Sequence, residues 1–337
     1  MNKTKTSELD YELNKNNIAQ IRYKKPKNSK ILSAENKKII KFKNLKSIIP
    51  KKTVLVLNKS RVQNVRIKTF KSLTKGKVEI FILNKISSYV CECLIKFNGS
   101  KKVGETIHTE IFNFIILDKN DTCFTIETSL EIDYVINSFG STPLPPYIED
   151  LPSKYNDYIS DFSNGGFSVA ASTAGLHFDN KMIKLLKKSG ILIKFINLDI
   201  GLGTFKPINT QYVDDYVIHS ENYSMKKKDY EDLLHLKDNG YSVVAVGTTV
   251  LRVLETIAIT GNYGGSTSLF IKPDFKFKIT NYLITNFHAP KSSLLSIVLT
   301  IYGHKWKELY AYAQKKKLKF LSFGDAVLFK IVWIIYY

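Results

Sequence analysis

The stretch SVVAVGTTVLRVLETIAI, at residues 242–259, decides the fold class that we predict for this chain. Its first five residues are short and mostly valine, and this composition predicts a buried strand at 242–246. Gly247 ends the strand, and the apolar residues that follow recur at helical spacing, so we predict a helix from Thr248 to Ile259. A buried strand that turns through glycine directly into a helix is typical of α/β proteins.

Predicted strands and helices alternate in the same way on both sides of this stretch. Apolar runs predict further strands at 53–57, 191–200, 269–271, 282–287 and 326–337. Helices are predicted to begin after Asp179 and after Ser224, with two more at 292–302 and 306–314. The first of these helices should turn Met182, Leu185 and Leu186 towards the core and end at Gly190. The alternation predicts the α/β class, as a layered α/β/α domain.

A different pattern occupies residues 60–141. Runs rich in β-branched and aromatic residues predict strands at 78–83, 89–97, 106–117 and 122–128, and Asn98-Gly99 predicts a tight turn. Helical spacing is limited to a short segment at 134–139. We therefore expect a discontinuous α/β domain at 1–59 and 142–330, split by an inserted small all-β barrel domain at 60–141. Residues 331–337 would form an atypical apolar tail.

Charge and cysteine content limit the class of protein. The 337 residues carry a formal net charge of +20, and residues 1–60 hold 16 Lys or Arg against 4 Asp or Glu. This excess favours a polyanionic partner such as nucleic acid, although a lysine-rich coding bias would also produce it. The three cysteines form no disulfide scaffold, and neither a secretory leader nor a membrane-spanning segment is visible. We expect a reduced, cytoplasmic protein.

Polar segments follow three predicted strands, at the sheet edge where α/β proteins bind their ligands. Gly201 and Gly203 follow the strand at 191–200, segment 247–249 follows the strand at 242–246, and segment 286–288 follows the strand that runs through Ile284. The backbone N–H groups at Thr248 could bind a carboxylate or phosphate, or this threonine could simply cap its helix.

Candidate proton-transfer groups lie in or near these segments. His177, His219 and His288 could exchange protons near neutral pH, and each could equally be a buried structural histidine. Glu221, two residues after His219, could be a base or could orient that imidazole. Asp325 is a further candidate, or it could cap a turn.

Several common site motifs are absent from the sequence. The histidines lack H-x-x-H and H-E-x-x-H spacing, so no metal site is predicted. The G-x-G-x-x-G, G-x-x-x-x-G-K-[ST] and G-x-S-x-G patterns are missing as well. These absences argue against dinucleotide binding of the Rossmann type, P-loop nucleotide binding and nucleophile-elbow hydrolysis.

Seven segments, in order along the chain, closely resemble those of the S-adenosylmethionine:tRNA ribosyltransferase-isomerase family of queuosine biosynthesis. They are PLPPYI at 143–148, TAGLHF at 173–178, GLGTFKP at 201–207, HSE at 219–221, VGTT at 246–249, TNFH at 285–288 and SFGDA at 322–326. One such segment could arise by chance, but an ordered set of seven does not. The resemblance extends from about residue 7 to residue 329 and implies an α/β domain with an inserted β-barrel.

The resemblance also implies a reaction. Family members transfer the ribosyl part of S-adenosylmethionine to 7-aminomethyl-7-deazaguanine at the wobble position of tRNA, where it rearranges to an epoxycyclopentane while adenine and methionine leave. S-adenosylmethionine would thus be a ribosyl-donor substrate, and the partner would be tRNA of the GUN-anticodon type. A base must remove a proton beside the sulfonium, and the attacking amine must be neutral. We expect a monomer that needs neither metal nor membrane.

The sequence motifs and the resemblance together predict two sets of site residues. The predicted catalytic residues are His177, His219, Glu221, His288 and Asp325. The predicted substrate-binding residues are Arg61, Thr173, Gly175, Gly201, Gly203, Thr204, Phe205, Gly247, Thr248, Thr249, Arg252 and Asn286, of which the two arginines would meet anionic groups.

The chain departs from the usual family pattern at 22–32, at 154–159, at Ser172 and at Tyr216. With the lysine enrichment, these departures leave open an alternative, a non-catalytic tRNA-binding relic of the same fold. A methyltransferase that releases S-adenosylhomocysteine is disfavoured because its glycine fingerprint is missing.

Overall fold

The computed structural model describes residues 3–120, 123–151, 154–201, 203 and 206–332. Its strands are β1 (Lys30–Ser33), β2 (Ile39–Lys41), β3 (Thr53–Asn58), β4 (Arg66–Phe70), β5 (Lys77–Lys85), β6 (Val90–Lys96), β7 (Thr106–His108), β8 (Asn113–Lys119), β9 (Phe124–Thr128), β10 (Gly140–Ser141), β11 (Leu192–Leu198), β12 (Glu221–Ser224), β13 (Ser242–Val246), β14 (Gly264–Thr267), β15 (Tyr282–Asn286) and β16 (Ala326–Lys330).

Its α-helices are α1 (Ile132–Phe139), α2 (Asn180–Lys188), α3 (Lys227–Asp238), α4 (Thr248–Thr260), α5 (Ser293–Tyr302) and α6 (Trp306–Lys315). Short 3-10 helices lie at Thr6–Leu9, Lys15–Asn17, Pro26–Asn28, Phe42–Ser47, Asn156–Tyr158, Thr173–His177, Val213–Asp215 and Gly303–Lys305. None of the helices in the described part of the chain is long and apolar enough to cross a bilayer.

Among the described residues, nine strands form the first sheet, in the order β14-β12-β11-β3-β13-β15-β16-β1-β2. Strands β11, β3, β13 and β15 are mutually parallel, so their carboxyl ends share one edge. Strand β16 runs antiparallel to β15 and parallel to β1. The strand-turn-helix unit predicted at 242–259 is present as β13 and α4, at the centre of this sheet.

Both faces of the first sheet are covered by apolar side chains. Along β3, Val54 and Val56 pack into a cluster that includes the apolar side of α4, whereas Leu55 and Leu57 pack into a second cluster that includes α2. Successive side chains of a strand point to opposite faces, so a strand buried on both faces must be apolar throughout. The predicted α/β class is therefore confirmed.

The second sheet has the order β10-β4-β5-β6-β9-β8-β7, and its neighbouring strands are antiparallel. It has its own apolar core, which includes Ile132, Val135 and Ile136 of α1. The strands β4 and β7 approach each other at one end, where Ser72 N–H donates to His108 O at 3.0 Å. The sheet is thus strongly curved, while a closed barrel remains a prediction.

Two predictions for the region around β12 were wrong. Ser224 does not cap a helix but ends β12, and α3 begins three residues later, at Lys227. The strand predicted at 269–271 is absent, and the nearby edge strand is β14, at Gly264–Thr267. Two glycines in β14 hide its strand character, because glycine has low β propensity and no side chain to pack.

Other corrections are smaller. In α2, Leu185 is 64% exposed, and Ile183 takes the predicted core position beside Met182 and Leu186. Asp179 does cap this helix, since its Oδ1 accepts the Met182 N–H at 2.6 Å. The strand predicted at 106–117 is divided into β7 and β8 by a turn. The terminal strand predicted at 326–337 is present as β16 but ends at Lys330, and residues 333–337 lie outside the described part of the chain.

Candidate active site

Two neighbouring hollows lie where the parallel strands of the first sheet end. The first, here called the deep cavity, measures about 120 Å³, and its lining includes Ser172, Thr248, Thr249, Thr285, Asn286 and His288. The second, here called the cleft, measures about 400 Å³ and lies between the two sheets, lined by Leu83, Glu92, Asp199, Gly201, His219 and Glu221 among others. Ile200 lines both hollows, so the deep cavity and the cleft adjoin.

Gly247 shapes the deep cavity because it lets β13 turn abruptly into α4. Its φ of +98° is strained for residues with a side chain, and an added Cβ would lie 3.2 Å from Ser172 Oγ. The turn places Thr248 and Thr249 at the wall of the cavity, where the first backbone N–H groups of α4 have no partner within the helix.

The deep cavity has no charged side chain in its described lining, and its surface is mostly apolar with several polar groups. Among the described residues that line it, the polar side chains are hydroxyls, one amide and one imidazole. Ser172 Oγ lies 3.1 Å from Thr249 Oγ1, and Tyr147 OH lies 2.7 Å from Ser322 Oγ. Such a lining suits a neutral, planar ligand that carries hydrogen-bonding groups.

His177 belongs to a buried chain of hydrogen bonds that ends at the deep cavity. Its Nδ1 lies 2.8 Å from Ser29 Oγ, and its Nε2 lies 3.4 Å from Asn286 Nδ2. Thr173 O–H donates to the amide oxygen of Asn286 at 3.0 Å. Burial lowers the pKa of His177 to about 3, so the imidazole is neutral and positions the Asn286 amide.

His288 lines the deep cavity directly. Its Nε2 lies 3.0 Å from Thr285 Oγ1, and Tyr11 O–H donates to its backbone carbonyl at 2.5 Å. Burial lowers the pKa of this imidazole to about 3 as well. A neutral imidazole of such low basicity can hydrogen-bond a ligand, but it is poorly suited to hold a proton.

Glu221 and Arg252 form a buried ion pair between the cleft and α4. Arg252 Nη1 donates to Glu221 Oε2. The arginine side chain is 6% exposed and the glutamate side chain is 4% exposed. The second carboxylate oxygen of Glu221 accepts the Gly201 N–H at 2.9 Å. Arg252 Nε donates to Leu269 O at 2.9 Å. The pair therefore ties the glycine loop at 201 to α4.

His219 differs from the other two candidate histidines because it is exposed and faces the cleft. Its ring packs directly over Gly203, where an added Cβ would lie 1.8 Å from His219 Cδ2. Only glycine at 203 leaves room for the imidazole in this position, which explains why a glycine-bearing segment and a distant histidine occur together.

Comparison with known proteins identifies the family to which this site belongs. Residues 6–329 match the family described as queuosine biosynthesis protein. The chain belongs to this family. It is 37% identical over 335 residues to the S-adenosylmethionine:tRNA ribosyltransferase-isomerase of a Sulfurihydrogenibium species, with 96% of this chain and 99% of the relative covered.

Further relatives agree with this assignment to the queuosine biosynthesis family. The protein of the same name from Clostridium kluyveri is 35% identical over 305 residues, covering 86% of this chain and 88% of the relative. Among solved structures, the S-adenosylmethionine tRNA ribosyltransferase of Thermotoga maritima is 28% identical and superimposes with a TM-score of 0.54, covering 96% of this chain and 99% of that chain.

Asp325 lies in the last segment typical of the queuosine biosynthesis family. Its side chain is fully buried, and it lines neither the deep cavity nor the cleft. Its Oδ1 accepts the Lys30 N–H at 2.7 Å and the Tyr23 O–H at 3.0 Å, and its Oδ2 accepts the Lys319 N–H at 2.8 Å. Burial raises the pKa of this carboxyl. These contacts join β1 to the turn before β16, away from the deep cavity.

Of the remaining predicted site residues, some line the deep cavity or the cleft and others do not. Thr173, Gly247 and Asn286 line the deep cavity, Gly201 lines the cleft, and Arg61 is exposed near the junction of the two sheets. Gly175 is buried against Phe162, whose ring would lie 3.2 Å from an added Cβ. Thr204 and Phe205 lie outside the described residues.

Sequence reasoning missed Asp199, which lines the cleft, and missed Tyr147 and Ser322 as lining residues of the deep cavity. The two cavity residues could have been found, because both lie in segments typical of the queuosine biosynthesis family. Asp199 lies inside the strand predicted at 191–200, whereas the observed strand β11 ends at Leu198, so Asp199 follows it. Within the described ranges, no three metal-binding side chains converge on a common point.

Proposed function

We propose that this chain is an S-adenosylmethionine:tRNA ribosyltransferase-isomerase. It transfers the ribosyl part of S-adenosylmethionine to 7-aminomethyl-7-deazaguanine at the tRNA wobble position and isomerises it, giving epoxyqueuosine-tRNA, adenine and methionine. One observation carries the proposal: each of the seven family-like segments contributes at least one residue to the deep cavity or the cleft. Segments that are far apart in the chain therefore meet at one site, in a protein whose family is known.

The deep cavity is the proposed site of the adenine ring of S-adenosylmethionine. Its lining is neutral and rich in hydrogen-bonding groups, which suits a nucleobase. Asn286 is the central group, because Thr173 and His177 fix the orientation of its amide at the cavity wall. A fixed amide can hydrogen-bond the ring nitrogens of adenine as the base departs, so His177 acts here as a positioning residue.

His219 is the proposed proton acceptor. The reaction needs a base that removes the proton beside the sulfonium, and this base must be accessible from the cleft. His219 is exposed there, whereas burial holds the pKa values of His177 and His288 at about 3. Glu221 is occupied by Arg252 and by the Gly201 N–H, so its proposed role is to hold the glycine loop beside His219.

The tRNA is proposed to enter through the cleft, because this hollow is the larger and lies between the two sheets. The net charge of +20 favours binding of the phosphate backbone, and the exposed Arg61 lies where phosphates would approach. A wobble base must leave its stack to be modified, and a hollow between two sheets can admit an extruded nucleotide. The proposed substrate is tRNA of the GUN-anticodon type.

Further parts of the proposal concern organisation and location. Residues 60–141 are proposed to be a β-barrel domain inserted into an α/β domain formed by 1–59 and 142–330. Their separate apolar core supports this division. The protein is proposed to act as a monomer in the cytoplasm, where tRNA is available.

The proposal is tested by incubating the protein with S-adenosylmethionine and a tRNA that carries the aminomethyl base. The expected result is release of adenine and methionine in equal amounts, with a gain in tRNA mass that corresponds to the epoxycyclopentane group. Release of S-adenosylhomocysteine would indicate a methyltransferase instead. Salt-dependent tRNA binding without adenine release, in a reaction where a related enzyme is active, would indicate the non-catalytic relic.

A further inference from the structure

The cleft has a charge opposite to that of the protein as a whole. The chain has 50 Lys or Arg residues against 30 Asp or Glu residues. Among the described residues that line the cleft, however, Glu92, Asp199 and Glu221 are acidic, and only Lys206 is a lysine. A negative site inside a strongly positive protein indicates that the ligand of this site carries a positive charge.

The three carboxylates of the cleft are not equivalent. Glu221 is neutralised by Arg252, with which it forms a buried ion pair. Glu92 accepts a hydrogen bond from Asn84 Nδ2 at 3.2 Å. Among the described residues, neither Glu92 nor Asp199 takes part in an ion pair, but only the Asp199 carboxylate is held by both a backbone N–H and a serine hydroxyl.

The protein holds the Asp199 carboxylate in a fixed orientation. Its Oδ1 accepts the Phe167 N–H at 2.8 Å and the Ser60 O–H, and its backbone N–H donates to Asn222 O at 2.9 Å. Gly166 provides the space, because its φ is +76° and an added Cβ would lie 2.6 Å from Asp199 Oδ1. Within the described part of the chain, both hydrogen bonds to the carboxylate fall on Oδ1, which leaves Oδ2 for a ligand.

We propose that Asp199 is the anionic group that recognises the cationic centre of a substrate in the cleft, a sulfonium or an alkylammonium. This inference rests on the proposed function, which supplies both: the sulfonium of S-adenosylmethionine and the aminomethyl group of the tRNA base, which binds protonated and loses its proton to solvent before it attacks. Asp199 is then a binding residue that determines specificity for charged over neutral substrates, and Ser60 is its positioning residue. The sulfonium and the ammonium group are both cationic, and the binding experiment below distinguishes which of them Asp199 contacts.

The test measures binding with two pairs of ligands that differ by one positive charge at the relevant group. One pair is S-adenosylmethionine and S-adenosylhomocysteine. The other is an anticodon stem-loop with the aminomethyl base and the same stem-loop with guanine. Wild-type protein should prefer the charged member of at least one pair. Asp199→Asn should reduce that preference about tenfold, which corresponds to about 1.4 kcal/mol, because a neutral amide does not attract the positive charge.

Two further variants make the test specific. Ser60→Ala should reduce the same preference by a smaller factor, because it removes one of the two hydrogen bonds that orient the carboxylate. Asp118→Asn removes an equal charge from the exposed end of β8 and should leave both preferences unchanged. A general folding defect would weaken both members of a pair equally, so the change in the ratio from wild type to variant reports the contact between Asp199 and the charged group.

The outcomes separate this inference from the proposed function. A loss of preference in the first pair assigns Asp199 to the sulfonium, and a loss in the second pair assigns it to the ammonium. The inference is overturned if wild-type protein shows no preference in either pair, or if Asp199→Asn retains both preferences within twofold. Because binding is measured without turnover, failure of adenine release would overturn the proposed function and leave this result standing.

Discussion

Arg252 and Glu221 form an ion pair at the boundary between the cleft and α4, where Arg252 Nη1 donates to Glu221 Oε2 and both side chains are almost fully buried. The two residues come from β12 and α4, and Glu221 also holds the backbone of Gly201. The pair thus fixes the glycine loop relative to the helix that lines the deep cavity. Its removal should affect the fold as well as the site.

Arg252→Met should lower the free energy of unfolding by about 3 kcal/mol or more, because it removes the positive charge that faces the buried Glu221 carboxylate. The double variant Glu221→Gln/Arg252→Met removes both charges and should cost at least about 1 kcal/mol less than the sum of the two single changes. Urea unfolding of all four proteins measures this coupling. Additive effects of the two changes would show that the ion pair contributes no coupling energy.

Protein stability should fall in mild acid because His177 and His288 are buried in the neutral form. Their pKa values are lowered from 6.5 to about 3 in the folded protein, so the unfolded chain binds protons first. The contribution of these two histidines to the free energy of unfolding is fully present above pH 6.5 and decreases as the pH falls towards 3. Protonation of each histidine in the unfolded chain should lower the free energy of unfolding by about 2 kcal/mol between pH 6.5 and pH 5, at 1.36 kcal/mol per pH unit.

The variant His177→Gln isolates one of these two contributions. It should be less stable than wild type at pH 7, because it loses the hydrogen bond between the imidazole and Ser29 Oγ. It should, however, lose less stability than wild type between pH 7 and pH 5. Urea midpoints at the two pH values give the comparison. An equal loss in the variant and in wild type would mean that His177 does not titrate as described.

His219→Ala should abolish most of the adenine release without removing the site. General acid–base groups contribute typically 10²- to 10⁴-fold, so a loss in kcat of that order is expected. Binding of S-adenosylmethionine should change by less than about threefold, because His219 is exposed and only borders the cleft. The exposed His235 on α3 provides the matched control, and His235→Ala should keep full activity. A His219→Ala protein with wild-type kcat would rule out the proposed proton acceptor.

Gly203→Ala should reduce the rate with little change in stability. The new Cβ would occupy the position of the His219 ring, 1.8 Å from its Cδ2, and an exposed ring can move away at low cost. The imidazole would then leave its place beside the substrate. Gly76→Ala is the control, since its Cβ would meet other atoms only at 3.5 Å or more. Melting temperatures and kcat together decide the matter, and an unchanged kcat for Gly203→Ala would contradict the placement of His219.

The central part of the fold was predictable from the sequence because its signals are local. The valine-rich run of β13, the turn at Gly247 and the apolar periodicity of α4 lie within one stretch of chain. Strands β12 and β14 were not predictable in the same way. They are four residues long and polar or glycine-rich, and they are strands because β12 pairs with β11 and β14 pairs with β12.

The candidate site could be predicted in part for a similar reason. Glycine-bearing segments after strands indicate the ligand edge of the sheet, and the structure places those described here around the deep cavity and the cleft. The roles of single residues depend on partners that are distant in sequence. Ser29 and His177 are 148 residues apart, so the buried imidazole chain could not be inferred from local patterns. The orientation of Asp199 likewise depends on Ser60, 139 residues away.

The most direct test of the account is the release of adenine from S-adenosylmethionine, measured with and without tRNA that carries 7-aminomethyl-7-deazaguanine. The account predicts adenine and methionine in equal amounts, only when the modified tRNA is present, and little release by the His219→Ala protein. Wild-type protein that binds both substrates but releases no adenine, under conditions where a related enzyme does so, would contradict it.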